Sequence, residues 1–331
     1  MRERSVARIS AVAALLLASV ILAPVGAASA APKGSPWGAN YFPNVALVTQ
    51  DGKTVQFYDD LLKDKLVLVN FIYTNCKDTC GLMTAKLVQL QRLLGDRVGR
   101  DIFMYSITTD PKRDTPAVLK DYADKFHVRP GWLFLTGKQA DIEVVRKKLG
   151  LYATHDTDDP FDHTTNVVIG NEATGQWIRN SAFDNPQYLA VMLGDWLNSW
   201  KDRKPVKSYA EVPRMAVPEK GQQLFKTRCA ACHTIGKGDG LGPDLLGVTS
   251  RRDPAWLARW LAAPDQMLAE GDPVATALLV KYKNLPMPNL QLGGADVAAL
   301  ISYMESRSAA VQGTESTASL GAEKKDSPAT R

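Results

Sequence analysis

Cys229-Ala230-Ala231-Cys232-His233 is the densest chemistry in the chain. Two thiols on one short helical turn can bond the two vinyl groups of one haem edge, and the adjacent histidine then reaches the iron from one side. That spacing predicts one covalently attached c-type haem. A zinc or dithiol site is the competing use of such a pair. Iron needs a second axial ligand or it stays open to small molecules. Met287, in Leu285-Pro286-Met287-Pro288-Asn289, is flanked by prolines that deny its loop helical structure and hold the thioether outward. Met267 competes, but it stands in the helical run Trp256 to Met267, where packing suits it better. A His233/Met287 pair raises the potential and closes the iron, which means electron transfer. Gly236 to Gly242 lacks a preceding strand and a following Gly-Lys-Ser/Thr, so it is no phosphate loop.

The two remaining cysteines, Cys76 and Cys80, lie in TNCKDTCGLM, residues 74–83. A structural staple, a redox couple and a pair of metal ligands are all open to them. A bridge over so small a loop gains little loop-closure stabilisation. Their place between a strand ending near Tyr73 and a helix starting near Leu82 favours thiolates, through the helix dipole and free N–H groups. Thiolates select soft metals such as Cu(I). Among the histidines outside the haem motif, His127 ends a helix. His155 and His163 flank the acidic loop THDTDDPFDHTTN, and His163 directly precedes the strand at Val167. His163 is therefore the expected third ligand. The acidic loop, with Asp156, Asp158, Asp159 and Asp162, is either a solvated surface or a mouth for cations or a basic partner.

The elements that must position these residues follow from periodicity. Leu66–Ile72, Ile102–Ile107, Trp132–Leu135 and Val167–Ile169 predict buried strands. Met83, Leu87, Leu90 and Leu94 share one helical face, as do Leu119, Tyr122 and Phe126, and then Ile142, Val145 and Leu149. Asn171–Gly175 is a turn between two strands, and a helix through Leu189, Leu193 and Leu197 closes the unit. The order is βαβ with a late hairpin, an α/β domain. From Pro218 to about Ser306 short helices and Gly/Pro-rich loops predict an all-α domain.

The chain has 331 residues, enough for two cores, and a formal charge of +5. No Lys/Arg cluster recurs with interleaved aromatics, so a nucleic-acid partner has no support. Arg2, Arg4 and Arg8 precede an apolar run from Ile9 to Ala23, then Pro24, Gly26 and the small-x-small pattern Ala28-Ser29-Ala30. Residues 1–30 are thus expected to be a signal peptide, with an uncleaved membrane anchor as the alternative; either puts the body outside the cytoplasm, in a periplasmic or extracytoplasmic space. Their removal lowers the formal charge to +3. The expected domains are 31–200 and 218–306, joined by a linker at 201–217 with five Lys/Arg and two Pro. Residues 307–331, rich in Ser, Thr, Ala, Gly and charge, are expected to be a disordered tail.

Residues 218–306, with Gly221-x-x-x-Phe225, the haem motif and Gly242-Pro243-Asp244-Leu245, resemble class I cytochromes c. In that family the proline after the motif helps orient the haem-ligating histidine, a role that would fall to Pro243. Residues 40–200 resemble the Sco/SenC family of copper-binding, thioredoxin-like proteins. The match rests on Cys76-x-x-x-Cys80, TTDPKRDTP at 108–116, which contains Asp110 and Asp114, and DHTTNVVIG at 162–170. The resemblance implies one copper on Cys76, Cys80 and His163, delivered to the CuA centre of cytochrome c oxidase or to another copper enzyme, with copper chaperones and an electron donor or acceptor protein as further partners. Lys77 and Gly81 stand where that family commonly has proline. Polar residues before Thr115-Pro116 are also explained by a helix opening there. The fold expected is a thioredoxin-like α/β domain followed by an all-α cytochrome c domain. The alternative function is a thiol–disulfide oxidoreductase in which Cys76 and Cys80 cycle and haem accepts the electrons.

Overall fold

The computed structural model describes residues 37–76, 80–151, 165–198 and 218–323, with side chains described up to Gly313. The expected signal peptide 1–30, the expected linker 201–217, His155, His163 and the four acidic-loop aspartates lie outside the described residues.

Seven strands make one mixed sheet: β1 (Ala46–Thr49), β2 (Thr54–Gln56), β3 (Leu66–Ile72), β4 (Ile102–Thr108), β5 (Trp132–Gly137), β6 (Asn166–Asn171) and β7 (Gln176–Ser181). Their order is β2-β1-β5-β4-β3-β6-β7. β3 runs parallel to β4, and β4 to β5, while β6 pairs with β3 antiparallel. β3 is buried along its whole length because both sheet faces are covered. Its side chains alternate between two cores. Leu66, Leu68 and Ile72 join one apolar cluster, and Val67, Val69 and Phe71 join the other. Asn70, on the first face, is held by the Ser106 hydroxyl at 2.8 Å, which in turn accepts from Trp132 Nε1 at 2.9 Å.

The helix α1 (Cys80–Leu94) covers that face with Met83, Leu87, Leu90 and Leu94, all buried. α2 (Pro116–Lys125) starts with Thr115 as its cap and proline in its first turn. α3 (Gln139–Leu149) covers the other face through Ile142, Val145 and Leu149. α4 (Pro186–Val191) returns beside α1.

The second domain is helical: α5 (Lys220–Leu224), α6 (Val248–Arg251), α7 (Pro254–Ala262), α8 (Pro264–Ala269), α9 (Pro273–Lys281) and α10 (Gly294–Glu323). α5 and α10 cross closely at Gly221, where a Cβ would meet the Ala299 carbonyl oxygen at 2.1 Å. Phe225 and Tyr303 flank the crossing, their ring centroids 5.5 Å apart. Two expectations change here. The single helix expected from Trp256 to Met267 is two, because Ala263 leaves helical backbone and Pro264 opens α8. The tail expected to be disordered from Arg307 is helical through Glu323. Its alanines and glutamates are strong helix formers, and they extend a helix already anchored by Val297, Leu300 and Met304.

Candidate functional site

The thiols sit at the carboxyl end of β3. The chain leaves β3 at Ile72, turns through Thr74, and re-enters regular structure at Cys80, the first residue of α1. A carboxylate fixes this turn from behind. Asp114 accepts from the Thr74 N–H at 3.1 Å and from the Thr74 hydroxyl at 2.5 Å. It also accepts from the Thr108 hydroxyl at 2.5 Å, and only 1% of Asp114 is exposed. Asp114 therefore belongs to the thiol loop; Thr115, its neighbour, is the residue that caps α2. Spacing could not reveal this, since Thr74 is forty positions away.

Cys80 is buried and Cys76 half-buried, and the Cys80 N–H points at Cys76 Sγ, 3.4 Å away. The helix start, expected to favour the thiolate, does not dominate at Cys80. Its hydrogen bond with Cys76, then burial, push the Cys80 thiol well above the ordinary range. The helix N-terminus serves Cys76 instead, through that N–H. Tyr122 Oη bonds Thr84 at 2.9 Å and the Cys80 carbonyl at 3.4 Å, closing the floor of the loop. Two thiols are donors of the kind soft metals take. Among the described residues no group of three or more His, Cys, Asp or Glu side chains converges as a metal holder. His127 is exposed, in left-handed backbone just past α2.

In the second domain, α5 widens into a π-helical turn over Phe225–Cys229, and this presents the haem motif. Cys229, Cys232, His233 and Met287 line one cavity of about 460 Å³, walled by Trp256, Leu257, Trp260, Leu261 and Leu300. His233 Nδ1 donates to the Pro243 carbonyl at 2.9 Å, which leaves Nε2 for a metal. Gly242 backs the ring so closely that a Cβ would lie 2.5 Å from His233 Cε1. Burial pushes the Cys229 and Cys232 thiols up to about 12. Met267 is buried against Trp260 and Ala275 in a separate small cluster. The cavity is apolar, has two thiols and an imidazole with one free nitrogen at one wall, and holds a thioether as well. Those residues fit a covalent haem.

A third feature was not legible as a site. The Asp244 carboxylate accepts from the N–H groups of Gly236, Lys237, Gly238 and Leu246, at 2.6 to 2.8 Å. Its own N–H is held by Asp239 at 2.9 Å, and Asp239 also accepts from Tyr282 Oη at 2.7 Å. Together they shape the loop that carries Pro243.

A mixed sheet with paired thiols between a central strand and the following helix, then a helical domain built around a haem motif, defines a thioredoxin-like protein joined to a cytochrome c domain. Residues 38–191 match the model of the SCO1/SenC family and residues 218–308 that of cytochrome c. The chain belongs to the SCO1/SenC family, with a cytochrome c domain fused behind it. An SCO2-like protein of Rickettsia felis is 34% identical over 145 residues, 42% of this chain and 68% of that protein. A structure of Bradyrhizobium japonicum ScoI with copper bound is 29% identical, covering 46% of this chain and 96% of that one, with a TM-score of 0.39. The cytochrome c domain of the pp3183 protein from Pseudomonas putida is 57% identical, covering 27% of this chain and 88% of that domain, with a TM-score of 0.26.

Proposed function

We propose that this protein is an extracytoplasmic copper-binding assembly factor that uses its cytochrome domain for one-electron exchange. Copper is the cargo, taken by Cys76 and Cys80 with His163 as third ligand. The destination is the CuA centre of cytochrome c oxidase or another copper enzyme, reached after export directed by residues 1–30. The observation that carries the reading is the thiol pair at the start of α1, braced by Asp114 and opening onto the cavity that holds His233 and Met287.

Cys229, Cys232, His233 and Met287 would hold the haem, which would supply a one-electron couple. The chain's residues do the rest. Pro243 holds the histidine tautomer, the apolar wall excludes water, and Cys76 stands at the same cavity. Joining the domains in one chain keeps the two centres at high effective concentration.

Metal analysis and redox titration of the exported, purified protein test this reading. One copper and one haem per chain are expected. Cys76→Ser or Cys80→Ser should abolish tight copper binding, whereas His163→Ala should chiefly disturb Cu(II). Cu(II) added to the reduced protein should oxidise it at a rate independent of protein concentration. Equal copper affinity in the double cysteine variant would sink the reading.

The hydrogen-bonded approach of Cys76 and Cys80 also favours a second reading, thiol–disulfide exchange. Closing the disulfide releases two electrons and two protons, which a one-electron acceptor would take in two steps. A copper-free protein that oxidises a dithiol substrate while its haem is reduced would select it.

A further inference from the structure

The haem-motif cavity is completed by the other domain: Cys76, Leu82 and Phe126 line it together with Cys232 and His233. Gln89 Nε2, on α1, donates to the Ala230 carbonyl at 2.5 Å. Ala231 and Leu241 are buried in the same apolar cluster as Met83 and Phe126, with Leu285 packed at its margin. The face of the thioredoxin-like domain that presents Cys76 is thus the face on which the cytochrome domain rests.

Two bodies cannot occupy one face. A protein that gives copper to Cys76 or takes it away must approach the thiol loop, and the cytochrome domain stands there. We propose that the cytochrome domain is a reversible cap on the copper loop. Docked, it turns Cys76 toward its own cavity; undocked, it leaves the same face to a copper-carrying protein. The proposal rests on the copper reading given above.

The contact has the character of one that opens. Its apolar part is a handful of side chains around Leu82 and Leu285. Positive charge gathers on both sides of it: the imidazole of His127 is held below its ordinary value by partial desolvation and then by two cations, Lys283 of the cytochrome domain and Arg92 of α1. A tether makes such a weak contact useful, because it raises the local concentration of the cap without making release slow.

The test uses the full, haem-loaded, reduced chain carrying Cys80→Ser, in which Cys229 and Cys232 are consumed as thioethers and Cys76 is the one free thiol. Its labelling by a maleimide on a long polyethylene glycol chain is compared with labelling by N-ethylmaleimide. The same pair of rates is measured for Gln89→Glu, which sets a carboxylate against the Ala230 carbonyl, and for a chain cut at a protease site placed within 201–217 and diluted. The bulky reagent should react about tenfold faster in the cut and Gln89→Glu chains, as expected for a face covered about nine-tenths of the time. The small reagent should change much less. Equal bulky-reagent rates in intact and cut chains would overturn the cap. Copper content of the same chains with both cysteines restored separates the two ideas: protection without copper binding rejects the copper reading alone, and copper binding without protection rejects the cap alone.

Discussion

Asp114 holds Thr74 twice, accepting from its backbone N–H at 3.1 Å and its hydroxyl at 2.5 Å, and so ties the turn before Cys76 to the segment before α2. The bracing carboxylate is buried and takes a third bond from Thr108. Asp114→Asn keeps the volume but turns an amide against these donors. The variant should lose about 3 kcal/mol of stability, because buried donors are left unpaired. Copper affinity should fall about 10- to 100-fold, the usual cost of losing an outer-sphere brace. Thermal melting and a competition titration with a copper chelator check both. Unchanged affinity would show that the loop is positioned from elsewhere.

Met287 and Met267 should separate cleanly. Met287→Ala should lower the haem potential and let imidazole or cyanide bind the iron, read by absorption spectroscopy. Met267, 1% exposed and packed on Trp260 and Ala275, is a core residue. Met267→Ala should cost about 2–5 kcal/mol and leave the spectrum of the folded protein unchanged. The reverse pattern would exchange the two assignments.

Gly221 allows α5 to touch α10. A valine there would force its Cβ into the Ala299 carbonyl, with the Tyr303 Cβ 2.8 Å away on the same helix. Backbone atoms cannot yield as a side-chain end can, so Gly221→Val should destabilise the cytochrome domain by about 3 kcal/mol. Haem absorbance followed through a denaturant titration should show the earlier midpoint. A midpoint equal to that of the parent chain would mean that the two helices do not meet there.

Asp239 gives the haem-side loop an acid limit. The Asp244 N–H first, then the Tyr282 hydroxyl, hold its carboxyl at about 2, below its ordinary 3.8. A depressed folded value means that the stabilisation is complete above pH 3.8 and is lost as the pH falls toward 2. Asp239→Asn should remove that part of the pH dependence, seen as a flatter stability profile between those two values. A profile as steep as the parent's would assign the acid sensitivity to another carboxylate.

The strand cores and the helix stripes were legible because burial on a sheet or helix face repeats every two or 3.6 residues. β3 and α1 are the clearest cases. The haem-side cavity was legible from the C-x-x-C-H spacing and the proline-flanked Met287. The brace from Asp114 was not, since a polar residue before Thr115-Pro116 has an adequate local explanation and its true partner is remote in sequence. The surroundings of Cys80 are not legible for a related reason. The helix start favours a thiolate, but the hydrogen bond with Cys76 and burial push that thiol up. The break at Pro264 shows the limit of periodicity alone, for the apolar spacing of α7 and α8 continues across a chain that has turned.

The bond from Gln89 to Ala230 has an asymmetric origin. The first partner gives a side chain and the second only a main-chain oxygen, which any residue at that position would offer. Ala230 lies between the two cysteines of the haem motif, in a position the motif leaves open. Substitution there would leave the acceptor in place, and no compensating change at Gln89 would be required. This hydrogen bond between the domains is therefore invisible to a search for paired substitutions; its specificity is written in the Gln89 side chain.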